Sequence, residues 1–368
     1  MRIVITGGHH NSALAVIDTL NQQGKHTYLW FGHQHSVWGD KNVSAEYREV
    51  TMRGIPFIDL KAGKLYKTYH PRKLIRLPRG FLNAFYHLIQ FKPDLVLTFG
   101  GYLSPPTALA AWFLHIPIFV HEQTVVAGWS NRFVARFARK VFVTWEESAK
   151  FFPQNKVVVT GLPLRKEIRA AKRIGKQGAG SKKAQTMYIT GGKQGSLTIN
   201  KVVKKALPQL LREFSIIHQC GSVSFLNSKK ELEKAVSTLS SQQQKKYQVR
   251  DYFFGKDLTS VLQQADFVVC RGGAHTIYEM AYLEKPCIIV PIPWVSHQEQ
   301  LKNAQVLQRA GTSLILEERN FNSQALLKAC YEMRDNFRNY KKKALVLSEV
   351  IKKDAASKIA QEISKIKN

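Results

Sequence analysis

The chain has 368 residues, which is enough for two domains that each bury a core of their own. Its formal net charge of +29 favours a large anionic partner such as nucleic acid, an acidic lipid surface or a phosphorylated substrate, although a lysine-rich proteome would produce the same excess. A hydrophobic content of 44% excludes extensive disorder.

The sequence also argues against three classes for this protein: membrane-spanning, secreted and disulfide-bonded. The longest apolar run, residues 108–120, contains His115 and Pro117 and is too short to span a bilayer. No basic leader precedes an apolar core at the N-terminus, so we expect no secretory signal and a cytoplasmic location. The four cysteines lack C-x-x-C spacing, which favours free, buried thiols.

In the first half of the chain, short apolar runs alternate with helical patterns. Strands are predicted at residues 3–5, 27–31, 95–99, 118–121, 141–144 and 157–160, with helices at 12–23, 81–91, 105–114 and 131–138. This alternation predicts a parallel sheet with helices on both faces, and continuously apolar strands predict that the sheet is buried.

Residues 61–92 form a basic segment without a single acid. Its Lys and Arg residues are interleaved with Leu, Ile, Phe and Tyr, a mixture that favours docking on an anionic membrane surface. The predicted membrane patch, which includes one aromatic residue from the next predicted helix, comprises Lys73, Arg76, Arg79, Phe81, Phe85 and Trp112. RNA contact is the alternative for this segment, but no RNP, KH or zinc signature accompanies it.

The stretch AAKRIGKQGAGSKKAQ, residues 170–185, separates the two halves. It is rich in Gly and Lys and has no apolar periodicity, which is typical of a linker. Its glycine spacing resembles a Walker loop, but Ser181 occupies the lysine position and no strand precedes it, so no nucleotide site is predicted there. Further strands are predicted at 187–190, 215–218, 249–253, 267–270, 287–290 and 313–316.

The predicted organisation is an α/β chain with two doubly wound domains. The first domain spans residues 1–165, a linker spans 166–186, the second domain spans 187–340, and C-terminal helices at 341–368 pack back toward the first domain. Because doubly wound sheets bind ligands at the carboxyl ends of their strands, we expect the loops of both domains to point into a cleft between them.

Four glycine-containing loops follow predicted strands and precede predicted helices. They comprise residues 6–9, 100–106, 121–132 and 190–200. Glycine lets the backbone approach a ligand and a helix N-terminus attracts an anion, so each loop is a candidate phosphate site, although glycine in such turns also has a purely steric use. Lys193 in the fourth loop and Arg165 after TGLPL are placed either to meet a diphosphate or to remain solvated cations.

The most specific stretch is CRGGAHTIYEMAYLEKPCIIVPIPWVSHQEQLKNA, residues 270–304. Glu279 is spaced to accept hydrogen bonds from a ribose diol, and Gln300 and Asn303 are placed to hold sugar hydroxyls. An exposed helix carboxylate is the alternative for Glu279.

Five motifs in one order resemble the MurG family of glycosyltransferases. They read GGYLS, HEQ…GWSNR, VVTGLPLR, GGKQG…N and CRGGAHTIYE…P…Q…NA, and the resemblance covers nearly the whole chain. It implies a GT-B fold, in which two Rossmann-like domains with parallel sheets face each other across a cleft. It also implies inverting transfer of N-acetylglucosamine from UDP-GlcNAc to the C4 hydroxyl of lipid I, giving lipid II in peptidoglycan synthesis at the cytoplasmic face of the membrane.

The resemblance also implies roles for individual residues. His9 corresponds to the family's general base on the acceptor hydroxyl, with helix capping as the alternative. The implied acceptor-binding residues are Thr6, Gly7, Gly8, Tyr102, Thr124 and Asn131. The implied donor-binding residues are Arg165, Gly192, Lys193, Gln194, Asn200, Gly255, Arg271, Ala274, Glu279 and Gln300.

The chain departs from the family pattern at four places. The first glycine loop is shortened, and Thr124 replaces an asparagine; both changes lie at positions that are implied to bind the acceptor. Lys193 replaces a serine, and Gly255 replaces a bulkier apolar residue; both changes lie at positions that are implied to bind the donor. The alternative enzymatic functions are transfer to another polyprenyl-diphosphate or glycolipid acceptor and UDP-sugar epimerisation. The alternatives without catalysis are an inactive binding module and nucleic-acid binding. The glycine loops and Glu279 argue against nucleic-acid binding.

The chemistry implied by the family fits these residues. Transfer to a hydroxyl needs a base with a near-neutral pKa, which an unperturbed histidine has. The departing UDP needs its negative charge stabilised, and the helix N-terminus at residues 191–192, Lys193 and Arg165 are expected to do this in place of a metal. No Asp-x-Asp motif is available, and His10, His33 and His35 are expected to be scattered surface residues, so no metal or other cofactor is predicted.

Overall fold

The computed structural model describes residues 1–6, 8–35, 43–62, 76–174, 184–222 and 227–366. Two compact units divide the chain: Met1–Arg165 with Lys352–Asn368 form the first, and Lys166–Ile351 form the second. Each unit contains a sheet whose paired strands run parallel. The carboxyl ends of the strands therefore share one edge within each unit.

The strands of the first unit are β1 (Arg2–Thr6), β2 (Thr27–Gly32), β3 (Phe57–Asp59), β4 (Leu95–Thr98), β5 (Ile118–Glu122), β6 (Lys140–Val143) and β7 (Val157–Val159). They lie in the order β3-β2-β1-β4-β5-β6-β7. The strands of the second unit are β8 (Thr186–Thr190), β9 (Ser215–Gln219), β10 (Tyr247–Arg250), β11 (Phe267–Cys270), β12 (Cys287–Ile289) and β13 (Ser313–Ile315). Their order is β10-β9-β8-β11-β12-β13.

Helices connect the strands along the described ranges. They are α1 (His10–Gln23), α2 (Ala45–Thr51), α3 (Arg76–Phe91), α4 (Ser104–Phe113), α5 (Trp129–Val134), α6 (Lys166–Ile174), α7 (Leu197–Glu213), α8 (Ser228–Ser237), α9 (Ser241–Gln244), α10 (Gly255–Gln264), α11 (Ala274–Tyr282), α12 (Glu299–Arg309), α13 (Ser323–Asp335), α14 (Phe337–Val350) and α15 (Ala355–Ser364). Short 3₁₀ segments cover Glu146–Phe151, Gln154–Lys156, Ser296–Gln298 and Glu318–Asn320.

All the predicted strands and the four predicted helices are present, with shifted ends. The sequence prediction missed β3, which has three residues at the edge of the sheet. Its side chains are only partly buried or exposed, so it carries no continuous apolar run that would mark it as a strand.

The last helix completes the core of the first unit. Leu14, Ile17 and Leu20 of α1 pack with Ile359 and Ile363 of α15 in one buried cluster. Full burial of a side chain of this size contributes about 1.5–3 kcal/mol, so α15 is a structural part of the first unit. Helix α14 stays in the second unit, where it packs on α11.

The predicted linker at 166–186 is wrong in its first part. Residues Lys166–Ile174 form α6, which belongs to the second unit and packs on α10. The segment KEIRAAKRI contains no glycine or proline and buries Ile168 and Ala171, so helix propensity and packing prevail over its polar composition. The glycine-rich remainder, residues 175–183, lies outside the described residues.

The core of the second unit lies between its sheet and the helices α7 and α13. Phe214 and Phe267 meet there edge to face, with ring centroids 5.7 Å apart. All four cysteines are free and buried, as predicted. Within the described ranges, no helix is long and apolar enough to cross a membrane.

Candidate active site

Two glycine loops lie back to back at the carboxyl edge of the first sheet, one after β1 and one after β4. Thr6 ends β1, and its buried hydroxyl lies 3.0 Å from the hydroxyl of Ser104. Ser104 Oγ in turn donates to the carbonyl of Gly100 at 2.7 Å. Gly101 has a φ of +80°, which favours glycine, and a Cβ at that position would lie 3.5 Å from the backbone of Gly8, so the two loops are in van der Waals contact.

His9 stands immediately before α1. It occupies the N-cap position, but its side chain makes no capping hydrogen bond to the helix. Burial, with a smaller contribution from His10, lowers the pKa of His9 to about 4. The imidazole is therefore neutral at pH 7 and can accept a proton, but the expected near-neutral pKa is wrong for this environment. Gly7, predicted to bind the acceptor, lies outside the described residues.

A second buried histidine, His121 in β5, lies close enough to His9 to influence its charge. Its Nε2 donates to the carbonyl of Gly161 at 3.1 Å. Burial lowers the pKa of His121 to about 4, and His9 contributes to the shift. Among the described residues, none forms a hydrogen bond with its Nδ1. The site thus holds two neutral imidazoles, of which the sequence predicted one.

Glu122 organises the loop between β5 and α5. Its Oε1 accepts from the backbone N–H of Thr124 at 3.0 Å and from the Thr124 hydroxyl at 2.8 Å. Its Oε2 accepts from Asn131 Nδ2 at 2.9 Å and from the N–H of Gly128 at 3.2 Å. Burial raises the pKa of Glu122, and these bonds offset part of the rise. Thr124 and Asn131, both predicted to bind the acceptor, therefore also hold this loop.

Tyr102 follows the glycine loop after β4 and rests on His33. The two rings are stacked, with centroids 4.8 Å apart, and His33 Nδ1 lies 3.4 Å from Asp59 Oδ1. Burial, with two nearby carboxylates, raises the pKa of Tyr102 to about 12. His10 Nε2 likewise lies 3.3 Å from Glu49 Oε2, so two of the histidines expected to be scattered face carboxylates. No three His, Cys, Asp or Glu side chains in the described part of the chain gather as a metal-binding group.

In the second unit, the loop after β8 is open at one point and crowded at another. Gly192 has a φ of +85°, and no atom lies within 4 Å of the place that a Cβ would take. Gly195 has the same φ, but a Cβ there would lie 2.1 Å from the carbonyl oxygen of Cys220. Ser196 ends the loop and caps α7 by accepting from the N–H of Ile199 at 3.3 Å. A ligand can therefore approach Gly192 while the backbone behind it stays fixed.

Arg271 follows β11, but it is only 9% exposed. Its Nη1 donates to Glu318 Oε2 and its Nη2 to Ser196 Oγ, both at 2.6 Å. The hydroxyl of Thr198 donates to Glu318 Oε1, also at 2.6 Å. Arg271 therefore fixes the N-terminus of α7, and its predicted contact with the donor stays a prediction. Its Nε has no hydrogen-bond partner among the described residues.

Asn200, also predicted to bind the donor, is buried in a chain of hydrogen bonds. Its Oδ1 accepts from His218 Nε2 at 3.1 Å, and its Nδ2 donates to the carbonyl of Cys220 at 2.8 Å. The hydroxyl of Tyr247 lies 2.8 Å from His218 Nδ1. Burial lowers the pKa of His218 to about 3. Asn200 thus lies behind the loop and supports it, a role that the sequence did not predict.

Gln300 also supports a loop of the second unit. Its Oε1 accepts from the N–H of Gly272 at 3.2 Å and from the N–H of Ile292 at 3.1 Å, which ties the loops after β11 and β12 together. The other predicted donor residues are Ala274 at the start of α11, Glu279 buried inside α11, Gly255 at the start of α10, Lys193 and Gln194 in the loop after β8, and Arg165 at the end of the first unit.

Comparison with known proteins links this arrangement to one enzyme family. The models of the Glycosyltransferase family 28 N-terminal domain and C-terminal domain match residues 4–143 and 186–363. A Bacillus cereus protein, UDP-N-acetylglucosamine--N-acetylmuramyl-(pentapeptide) pyrophosphoryl-undecaprenol N-acetylglucosamine transferase 2, is 31% identical over 99% of both chains. The crystal structure of Acinetobacter baumannii MurG is similar, with a TM-score of 0.73 and 25% identity over 99% of both chains. The chain belongs to the MurG family.

Membership in the MurG family makes this protein a glycosyltransferase, and the predicted GT-B fold with two doubly wound α/β units is confirmed. The fold is shared more widely. A UDP-GlcNAc 2-epimerase from Neisseria meningitidis, solved with UDP-GlcNAc bound, has a TM-score of 0.64 at 15% identity over 99% of this chain and 100% of that one. Similarity at so low an identity concerns the fold alone and lends no support to epimerisation.

The aromatic part of the predicted membrane patch is continuous in this MurG-family protein. Phe81 contacts Phe85 and Phe113, each with ring centroids 5.7 Å apart. Trp112 contacts Phe113 at 5.1 Å and Phe137 at 5.3 Å. We call these five residues the aromatic surface. Trp112 and Phe113 are exposed, and the other three rings are partly buried against the core. Helix α3 also exposes Leu82, Tyr86 and Ile89.

The cations of the patch are described only in part. Arg79 is exposed, whereas Lys73 and the side chain of Arg76 lie outside the described residues. A cavity of about 410 Å³ lies beside the aromatic surface, with Trp112 and Arg139 among its lining residues. The first unit therefore offers both apolar side chains and basic groups on one surface.

Sequence reasoning missed four residues that organise the two sites: His121, Glu122, Gln219 and Glu318. His121 and Glu122 belong to the HEQ motif, but alternation along a buried strand does not reveal which partners their side chains find. Glu318 lies 47 positions from Arg271 and carries no motif, so only the folded chain identifies it as a partner.

Proposed function

We propose that the enzyme transfers N-acetylglucosamine from UDP-GlcNAc to lipid I and so forms lipid II in peptidoglycan synthesis. One observation carries the proposal. A relative whose name states this donor and this undecaprenol-linked acceptor matches the chain at 31% identity from end to end, with 99% of both chains covered. The match to that relative includes both units, which supports the proposed donor and the proposed acceptor.

His9 is the proposed general base. Its neutral imidazole accepts the proton of the acceptor hydroxyl, whose oxygen attacks the anomeric carbon and displaces UDP with inversion. Burial holds the pKa of His9 at about 4 in the absence of an acceptor, which makes it a weak base. An acceptor diphosphate beside His9 would raise that pKa toward neutrality, because a nearby negative charge favours the imidazolium. Base strength would then rise only when the acceptor is bound.

The second unit is the proposed donor-binding unit. As the bond to the sugar breaks, its electron pair passes to a β-phosphate oxygen, and the N-terminus of α7 together with Lys193 stabilises the charge. Support comes from the open backbone at Gly192 and from Arg271 and Ser196, which fix the start of this helix. We propose that this arrangement acts without a metal, because a helix end and a cation supply the positive potential.

We propose that the first unit docks on the cytoplasmic face of the cell membrane, where a lipid-linked acceptor resides. Its aromatic surface would enter the interface between headgroups and acyl chains, while Arg79 and the neighbouring basic residues would meet anionic headgroups. The contiguous rings from Phe81 to Phe137 support this assignment. A peripheral enzyme of this kind needs no membrane-spanning helix.

A related acceptor, another polyprenyl diphosphate or a glycolipid, is the second candidate. The shortened first glycine loop and Thr124 at the asparagine position favour it, because both features lie in the acceptor-binding unit.

The test is transfer of radiolabelled GlcNAc from UDP-GlcNAc by the full chain on anionic vesicles that contain lipid I, another polyprenyl-diphosphate sugar or a glycolipid. We expect the label in lipid II, with chelator in the buffer leaving the rate unchanged. Faster labelling of a different acceptor would replace lipid I by that acceptor. Loss of the rate in chelator, restored by magnesium, would overturn metal independence.

A further inference from the structure

We propose that Tyr252 is a positioning residue that holds the ammonium group of Lys193 for the diphosphate of a uridine nucleotide. The inference rests on the proposed function and deepens its donor site. Lys193 occupies a position where the family pattern has serine, so its use of Tyr252 is a property of this chain.

The backbone of Lys193 is fixed on both sides. Gly192 and Gly195 each have a φ of +85°, and the carbonyl of Lys193 accepts from the N–H and the hydroxyl of Ser222, both at 3.1 Å. This backbone fixes the direction in which the Cα–Cβ bond of Lys193 points, while the ammonium at the end of its flexible side chain needs a further contact to hold it. The adjacent Gly192 leaves open space where a phosphate can approach the loop.

Gln219 joins this glycine loop to the segment that contains Tyr252. Its Nε2 donates to the carbonyl of Gly192 at 3.1 Å and to Thr190 Oγ1 at 3.0 Å. Its Oε1 accepts from the backbone N–H of Phe253 at 3.2 Å. Gln219 is only 3% exposed, so these bonds are shielded from water. The two loops therefore keep a fixed relation to each other.

Two aromatic residues, Tyr252 and Phe254, flank the residue whose N–H donates to Gln219. Lys193 Nζ lies 5.9 Å from the centroid of the Tyr252 ring, and this ring meets Phe254 edge to face at 4.2 Å between centroids. Phe254 is 57% exposed, and the next residue, Gly255, has open space where a Cβ would be. An exposed ring beside an open backbone is suited to a nucleobase, while the lysine is suited to its phosphates.

A cation–π contact can position a lysine that binds phosphate. The ring attracts the ammonium through its quadrupole but carries no net charge, so this contact leaves the positive charge of Lys193 in place. Tyr252 thereby links the two halves of the ligand: its ring supports Phe254 on the base side and Lys193 on the phosphate side.

The experiment is a double-mutant cycle read by calorimetric titration of the full chain with UDP and with uridine. Lys193→Met is expected to weaken UDP binding about tenfold and uridine binding less than twofold, because uridine has no phosphate. Tyr252→Leu is expected to weaken UDP binding about fivefold in the wild-type background but less than twofold in the K193M background.

Two matched controls accompany the cycle. Tyr252→Phe keeps the ring and is expected to bind UDP within twofold of the wild type, which separates the ring from the hydroxyl. Lys256→Met removes an exposed lysine from the first turn of α10 and is expected to leave both ligands within twofold.

Three results would overturn the proposal. Equal effects of Tyr252→Leu in the two backgrounds would remove the coupling, and a Tyr252→Phe effect as large as that of Tyr252→Leu would assign the role to the hydroxyl. A wild-type protein that binds no uridine nucleotide would overturn this inference together with the proposed function. UDP binding without coupling would overturn the inference alone.

Discussion

The loops of the two units are held in place by different chemistry. Behind the glycine loops of the first unit lie His9 and His121, whose pKa values burial lowers to about 4, so both are neutral at pH 7. At the start of α7 in the second unit lies an ion pair between Arg271 and Glu318, each with a side chain only 10% exposed. At these positions the first unit buries neutral bases and the second buries a cation with its partner, although the second unit also buries the neutral His218 behind its loop.

This difference matches the two charges that a glycosyl transfer has to accommodate. A buried neutral imidazole can take up a proton, and its basicity rises when an anion binds nearby. The ion pair of the second unit fixes the N-terminus of α7, and this helix end with Lys193 can stabilise a leaving group as it becomes negative, without reorganisation. The contrast supports the proposal that the proton passes to the first unit and that the departing diphosphate is held by the second.

The largest effect is expected from breaking the buried ion pair. Arg271→Met removes the cationic partner of the buried Glu318 and is expected to lower the free energy of unfolding by about 3–5 kcal/mol. Urea unfolding of the full chain measures it. The control is Arg250→Met, which removes an ion pair with Asp257 whose side chains are 49% and 62% exposed, and which is expected to cost at most about 1 kcal/mol. Similar losses in both variants would remove the contrast between the units.

The second prediction concerns the neutral base. His9→Ala is expected to lower the transfer rate about a hundredfold or more and to leave UDP affinity unchanged, because the imidazole acts on the acceptor proton. Initial rates with saturating donor measure the first effect, and calorimetry measures the second. The exposed His35→Ala serves as the control and retains the rate. Survival of the rate in His9→Ala would place the base elsewhere.

Buried neutral histidines also make stability depend on pH. The pKa of His218 is about 3 in the folded chain, against 6.5 in the unfolded chain. The unfolded chain alone takes up a proton between these values, so stability falls as the pH falls below 6.5, by about 1.4 kcal/mol per pH unit for this histidine.

His218→Gln tests this prediction. The free energy of unfolding of the variant is expected to decline less steeply between pH 6 and 4 than that of the wild type. An exposed histidine, His115, provides the matched His115→Gln control, which is expected to keep the wild-type slope. An unchanged slope in His218→Gln would mean that the histidine takes up its proton within the folded protein.

The smallest effect is expected at the hydroxyl pair behind the first glycine loop. Thr6→Val keeps the shape of the side chain but removes its hydrogen bond with Ser104, which is expected to cost about 1 kcal/mol of unfolding free energy. Urea unfolding measures the change, with the exposed Thr238→Val as control. A gain in stability would show that the pair serves function at the expense of the fold.

The order of strands and helices could be read from the sequence because continuous apolar runs mark buried parallel strands. The exceptions have physical reasons. Strand β3 was not predicted because it has only three residues at a sheet edge and ends in the exposed Asp59, which leaves no continuous apolar run. The polar composition of helix α6 predicts a linker, but its residues Ile168 and Ala171 are buried, so one face of the segment packs as a helix.

The candidate site was predictable in its backbone and less so in its side chains. The glycine turns predicted after β4 and β8 are present, with a φ of +80° at Gly101 and +85° at Gly192, because glycine spacing after a strand reports backbone geometry. The hydrogen bonds that bury Arg271 and Asn200 could not be predicted, because their partners come from other segments of the chain.

The sequence by itself determined the fold and the family, because these depend on local apolar periodicity and on motifs that stay contiguous along the chain. Only the tertiary structure decided the charge state of His9 and the burial of Arg271. It also decided the contact between Lys193 and Tyr252. Desolvation and pairing depend on which atoms surround a side chain, and those atoms come from elements far apart in the chain.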